Sequence, residues 1–311
     1  MEKPEAYQIP SRELQLVLEL CRCSRRNRRP TVVQLGRLAE LRAAYEEIAS
    51  HNRLSPDFKC QPVYAGGVSA EWISGVRAHD GPVILYLHGG CYATGSVDTH
   101  RDLMIRLSIA TSMRVLGLNY RLAPMHPFPA AVEDASAAYR WLLGAGIAAG
   151  RIAMAGDSAG AGLALAAILT IRDGGLPVPG AVVCLSPWVD LAVSGASMEN
   201  KAAEDPIVSR EMLLGWRRLY LGDSDPRTPL ASPLYANLRG LPPMLIQVGS
   251  GEVLLDDATR LTQCALAAGV DTTLEVWPHM IHVWQSFAPI LPEARQSIER
   301  IGQFIKAHLD P

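Results

Sequence analysis

Residues 152–171 read Ile-Ala-Met-Ala-Gly-Asp-Ser-Ala-Gly-Ala-Gly-Leu-Ala-Leu-Ala-Ala-Ile-Leu-Thr-Ile, and this stretch decides the fold. Residues 152–155 form an apolar run short enough for a buried strand, and 161–171 form one long enough for a helix. Gly156-Asp157-Ser158-Ala159-Gly160 alone separates them. The chain must therefore reverse direction sharply at Ser158. Small residues on both sides are what a strand-to-helix turn carrying an exposed hydroxyl requires. A helix N-terminus directly behind that hydroxyl favours negative charge developing beside it. These features make Ser158 the candidate nucleophile.

Outward from this turn, strand and helix signals alternate. Strands are predicted at 61–64, 72–76, 83–87, 115–119, 152–155, 181–185, 244–248 and 272–276. Helices are predicted at 130–143, 161–171, 255–268 and 292–308. This βαβ rhythm predicts an α/β architecture, a mostly parallel central sheet flanked by helices on both faces. Residues 189–235 break the rhythm, and as an insertion between two strands they are placed over the carboxyl ends of the sheet, where open α/β sheets bind ligands. Residues 1–50 are predicted to be two helices that break at Pro30–Thr31, and they supply a second cap segment before a catalytic unit spanning 51–311.

The strand at 83–87 runs into His88-Gly89-Gly90-Cys91-Tyr92. Acyl transfer needs backbone N–H groups aimed at an oxyanion, and a glycine-rich loop beside the nucleophile turn can supply them. Gly90, Cys91 and Ala159 are the expected donors, with Gly89 as a further candidate. His88 is read as a residue that ties this loop down. A nucleophilic serine also needs a histidine base and a carboxylate to orient it. After a turn of this kind the acid and then the histidine follow the serine along the chain. The 244–248 strand leads to Glu252, Asp256 and Asp257, and the 272–276 strand leads to His279 and His282. His282 is preferred, because it lies deeper in its loop and precedes the apolar Val283-Trp284. His100 and His126 precede Ser158 and would break the order, whereas His308 reads as a surface residue. Asp256 and Asp257 otherwise read as caps for the helix at 255–268.

HGGCY at 88–92, YRLAP at 120–124 with HPFPAA at 126–131, GDSAG at 156–160 and the late acid and MIHVW loops together resemble the hormone-sensitive-lipase-like bacterial esterases of the α/β-hydrolase fold. The resemblance spans about residues 60–310. It implies a helical cap and hydrolysis of short- to medium-chain acyl esters through an acyl-enzyme, with no cofactor or metal. Its register places the acid at Glu252, giving a triad of Ser158, Glu252 and His282, with Asp256 as the rival acid. The family's third loop glycine is Cys91 here, so either that position takes an ordinary conformation or the oxyanion hole is slightly reshaped. Amide or lactone hydrolysis with the same triad, or a non-catalytic small-molecule receptor, are the alternatives.

Composition narrows the partners. With 29 basic and 31 acidic side chains the net charge of −2 gives no attraction to nucleic acid or anionic lipid. Arg22, Arg25, Arg26, Arg28 and Arg29 form one basic cluster, which lacks interleaved aromatics and reads as a solvated helix end. Cys21 and Cys23 lack the second ligand pair of a structural zinc site. The expected partner is a small ester, with no nucleic acid and no membrane span, for a monomer or homodimer. The N-terminus lacks the basic and apolar regions of a signal peptide, and the scattered cysteines suit reduced thiols, so a cytoplasmic location is expected.

Overall fold

The computed structural model describes residues 10–27, 38–50 and 58–309. Two helices, α1 (Arg12–Asn27) and α2 (Leu38–Ser50), precede a hairpin of β1 (Phe58–Ala65) and β2 (Val68–Gly75). There follow β3 (His79–Leu87), α3 (Val97–Thr111), β4 (Met113–Leu118), α4 (Ala130–Gly144), β5 (Ile152–Asp157), α5 (Ala159–Asp173) and β6 (Ala181–Leu185). The short α6 (Ser197–Asn200) and α7 (Arg210–Leu221) occupy the insertion, and β7 (Met244–Gly249), α8 (Leu255–Ala267), β8 (Thr272–Trp277) and α9 (Pro292–His308) complete the chain.

The eight strands form one sheet in the order β1-β2-β4-β3-β5-β6-β7-β8. β2 pairs antiparallel with β1 and β4, and every pairing from β4 through β8 is parallel. Side chains alternate between the two faces of each strand. Leu85, Leu87, Leu116, Met154 and Val182 thus join α4, α5 and α8 in one apolar core. Ile84, Tyr86, Val115, Ala155 and Val183 join α3 and α9 in the other, where Leu14 and Val17 of α1 are also buried. Strands buried on both faces become continuous apolar runs, which is why 83–87 and 181–185 stand out in the sequence.

β4 and β5 lie on opposite sides of β3, so the strand order reverses there. Such a switch point leaves a crevice at the carboxyl ends of the strands, the usual ligand site of open α/β sheets. The loops after β3 and β5 both open into it.

All eight predicted strands are present, with ends shifted by a few residues. α3 is absent from the sequence reading. Its buried residues include His100, Asp102, Ser108 and Thr111 beside Leu103, Met104 and Leu107, so polar side chains interrupt the apolar stripe that marks a helix. A readable signal was the capping box of Ser96 and Thr99 at its start. The reading of Asp256 and Asp257 as helix caps is corrected: α8 starts without a side-chain cap at Leu254. Asp256 Oδ2 instead accepts the Ser197 N–H, and Asp257 Oδ2 accepts those of Val189 and Asp190. Both aspartates spend their acceptors on the insertion, because that chain runs across the start of α8.

Arg22 is exposed near the end of α1, and the side chains of Arg25, Arg26, Arg28, Arg29 and Cys23, like the Pro30–Thr31 break, lie outside the described residues. Among the described residues no helix is long and apolar enough to cross a membrane.

Candidate active site

Ser158 closes the turn between β5 and α5 with φ 53° and ψ −121°, a backbone conformation that a side chain rarely adopts. Holding it there costs about 1–3 kcal/mol, which the surrounding contacts must offset. Its N–H donates to the Leu185 carbonyl at 2.8 Å and its carbonyl accepts the Trp188 N–H at 3.0 Å, so the strand end of β6 grips the turn from one side. Gly160 presses against β3 on the other, where an added Cβ would overlap the Leu87 and His88 carbonyls. Only glycine permits that approach.

The next two loops meet each other. The Gly251 N–H donates to Met280 O at 3.1 Å and the Ser250 N–H to Trp277 O at 2.9 Å. Within this joint His282 Nδ1 lies 3.0 Å from Glu252 Oε2. Glu252 is fully buried, and its Oε1 accepts Ser186 Oγ–H at 2.8 Å and the Gly249 N–H at 2.6 Å. Ser186 Oγ in turn accepts the Val283 N–H at 3.0 Å, so this hydroxyl at the end of β6 fixes both the acid and the backbone after the histidine. Asp205 adds a further tie: its Oδ2 accepts the Val253 N–H at 3.0 Å, and its Oδ1 accepts those of Ile207 and Val208. Burial disfavours the His282 imidazolium, but the hydrogen bond and charge of Glu252 together outweigh it, and its pKa lies above the ordinary histidine value.

Ser158, Glu252 and His282 thus follow β5, β7 and β8 at one end of the sheet, and all are buried. His279 sits on the exposed side of its loop, with its N–H held by Ser250 Oγ. Asp256 points to Ser197.

The loop after β3 differs from expectation in two places. The Gly89 N–H donates to Asp157 Oδ1 at 3.0 Å, so Gly89 leaves the set of available donors. Glycine is needed there because the loop lies on that carboxylate: a Cβ would overlap Asp157 Oδ2. Cys91 does not take an ordinary conformation but a left-handed one, φ 55°, inside a turn closed by the Ala93 and Thr94 N–H groups on the Gly90 carbonyl. A non-glycine residue pays about 1–2 kcal/mol for that. Among the described residues no acceptor takes the N–H groups of Gly90, Cys91 or Ala159. His88 packs its ring on Tyr120 at 4.3 Å between centroids, and Tyr120 O–H donates to the His88 carbonyl at 2.7 Å, which ties the loop down as the sequence suggested.

Sequence reasoning missed Asp157, Ser186, His100 and Asp205. Asp157 could be found as the variable residue of the turn, whereas the others carry no local signal.

The insertion and the first helices reach this site. Tyr220 of α7 stacks on Tyr92 with centroids 3.8 Å apart, and Trp188 and Phe128 complete the aromatic group. Arg42 of α2 donates to the carbonyls of Ala93 and Ala123 at 2.8 and 2.9 Å.

Comparison with known proteins identifies the family and the fold. Residues 84–286 match the alpha/beta hydrolase fold family. An acetyl-hydrolase of Streptomyces hygroscopicus is 52% identical over 244 residues, 78% of this chain and 81% of that protein. The crystal structure of an esterase from the bacterial hormone-sensitive lipase family superposes with a TM-score of 0.92 at 49% identity, covering 97% of this chain and all of that one. A structure of EstE5 soaked with p-nitrophenyl butyrate gives 0.91 at 42% identity, covering 96% and 99%. With an elbow serine, a buried acid–imidazole pair and relatives of this likeness, the chain belongs to the hormone-sensitive-lipase family of α/β-hydrolase-fold esterases.

Proposed function

We propose that this carboxylic ester hydrolase acts on short- to medium-chain acyl esters through Ser158, His282 and Glu252. The observation that carries the reading is the 3.0 Å bond between His282 Nδ1 and buried Glu252. That bond leaves Nε2 as the nitrogen to receive a proton from Ser158. Ser158 attacks the acyl carbon, and His282 takes its proton and returns it to the leaving alcohol. Water then repeats the sequence on the acyl-enzyme, while Glu252 holds the imidazole in one tautomer throughout. The N–H groups of Gly90, Cys91 and Ala159 bind the tetrahedral oxyanion, helped by the N-terminal end of α5.

Helix α2, from the expected cap segment of residues 1–50, and residues 189–235 together act as a cap over the strand ends. The Arg42 bonds and the Tyr220–Tyr92 stack support this, since each joins one cap segment to the loop that follows β3. Tyr92, Trp188 and Tyr220 are all buried beside that loop, and as a wall of the acyl site this aromatic group favours a short chain. The relative named as an acetyl-hydrolase agrees with a small acyl group.

The test is a series of p-nitrophenyl esters of increasing acyl length. Turnover should be greatest between acetate and hexanoate and fall about tenfold or more by dodecanoate. Equal turnover across the series would reject the acyl-length assignment, and faster turnover of matched amides would replace the ester assignment.

The same assay tests the base. Ser158 needs neutral His282, so activity should rise with pH through the His282 pKa. Because that pKa is raised, the acid limb of kcat/KM should lie above the ordinary value of 6.5. Glu252→Gln removes the charge that raises it and should move the limb to lower pH. An unmoved limb would take Glu252 out of contact with the base.

A further inference from the structure

We propose that Asp157 and His100 form a second buried acid–imidazole pair that positions the oxyanion loop and cancels the charge behind it. This inference rests on the serine-esterase reading above. Both are positioning residues, acting through the peptide groups of residues 89–91 and never on substrate.

Asp157 immediately precedes the nucleophile and is buried. Its Oδ1 accepts the Gly89 N–H at 3.0 Å and the Tyr86 O–H at 2.7 Å, and its Oδ2 lies 3.3 Å from His100 Nε2. The first peptide of the loop is therefore pinned to the residue beside Ser158. The two peptides after it carry the proposed Gly90 and Cys91 donors, so the pin sets where those donors aim. A donor displaced from the oxyanion costs catalysis heavily. Gly89 marks the same contact, because any side chain there would strike Asp157.

The pin has an electrostatic cost. A buried carboxylate one peptide from the oxyanion site repels the charge that forms in the transition state. His100 supplies the cancelling charge. Its Nδ1 lies 2.8 Å from Thr99 Oγ1 and 3.3 Å from the Ser96 carbonyl. Thr99 Oγ1 accepts the Ser96 N–H and lies 2.9 Å from that carbonyl, so when it donates to the carbonyl it faces Nδ1 as an acceptor. Nε2 faces the Asp157 carboxylate and Nδ1 faces the Ser96 carbonyl, an arrangement in which an imidazolium finds an acceptor on both sides.

The groups around His100 are consistent with this. Asp157 faces it from β5. His88 lies 5.5 Å away between ring centroids on the loop after β3, Tyr86 lies 6.4 Å away on β3, and Tyr45 lies 6.4 Å away on α2. Glu46 of α2 acts at longer range. Burial together with the His100 charge lowers the His88 pKa to about 3, so His88 stays neutral. Burial opposes a charged His100 as well, but Asp157, Ser96 and Glu46 outweigh it and raise its pKa, so the cation persists to higher pH than that of an ordinary histidine and is lost as pH rises further.

The experiment compares His100→Gln, Asp157→Asn, the double variant and Asp157→Ala on p-nitrophenyl acetate across pH. Ser158→Ala is the control, folding is checked by circular dichroism, and fluorophosphonate titration counts competent serines. His100→Gln keeps a donor for Asp157 but removes the charge, and kcat should fall about tenfold with KM within about twofold. The wild type should lose kcat on an alkaline limb as His100 deprotonates, and His100→Gln should lack that limb. Asp157→Asn keeps the acceptor for Gly89 and guards against misfolding of Asp157→Ala, for which a loss of about 100-fold is expected. The double variant is uncharged at both positions and should be more active than His100→Gln alone.

A Ser158-dependent enzyme whose His100→Gln variant keeps wild-type kcat and the alkaline limb would overturn the proposal and leave the esterase reading intact. So would a double variant no better than His100→Gln. An inert wild type, or an active Ser158→Ala, would overturn that reading and this inference with it.

Discussion

Ser158→Ala is expected to lose about 10⁴–10⁶-fold in kcat on p-nitrophenyl acetate while the protein remains folded. The size follows from removing the atom that forms the acyl-enzyme. What remains is binding and oxyanion stabilisation acting on a bound water, worth about 10³–10⁴ over the uncatalysed reaction. The fold should tolerate the change well. Ser158 is fixed by its backbone, through the Leu185 and Trp188 hydrogen bonds, and no side-chain cap is lost from α5. Alanine adopts φ 53° at about the cost serine already bears, so thermal unfolding should stay within about 1 kcal/mol of wild type. Activity within tenfold of wild type would end the covalent mechanism.

Glu252→Ala is expected to lower kcat about 10⁴-fold and also to cost stability. Without the carboxylate, His282 Nδ1 has no partner to fix its tautomer, and a ring with the proton on the wrong nitrogen cannot accept one from Ser158. The structural cost has a separate origin. Ser186 Oγ–H and the Gly249 N–H lose their acceptor in a fully buried position, and each unsatisfied donor costs about 1–3 kcal/mol. Thermal melts should therefore separate this variant from Ser158→Ala, and Glu252→Gln, which retains an acceptor oxygen, should recover part of the stability. Near-wild-type kcat in Glu252→Ala would move the acid elsewhere. Asp256 is poorly placed to take over, because its carboxylate accepts the Ser197 N–H.

The sheet was readable in the sequence because strands buried on both faces leave unbroken apolar runs. α3 was not, since it buries a histidine, an aspartate, a serine and a threonine among its apolar residues. Ser158, Glu252 and His282 were readable as residues at strand ends in a fixed chain order. Their support was not, because it joins distant parts of the chain. Ser186 meets Glu252 across 66 residues and Val283 across 97, and Asp157 meets Gly89 across 68. Spacing carries no trace of such pairs. Gly89 illustrates the difference: the sequence suggests a free donor, whereas the fold places a carboxylate beneath it. Cys91 is the opposite case: its place in the family's glycine register raises the question of its conformation, and the fold answers it with a left-handed φ of 55°.

The order of strands in the sheet also sets the order in which the chemistry becomes available. Ser158 follows β5 near the middle of the sheet, whereas His282 follows β8, which pairs only with β7 at the edge. A chain leaving the ribosome exposes its N-terminal parts first. The proposed nucleophile and its loop are therefore made long before the proposed base, and the β7–β8 pairing is what brings Glu252 and His282 together. With the proposed triad, the growing chain carries an unactivated serine until β8 docks, so hydrolysis is expected to begin only with that last strand pairing.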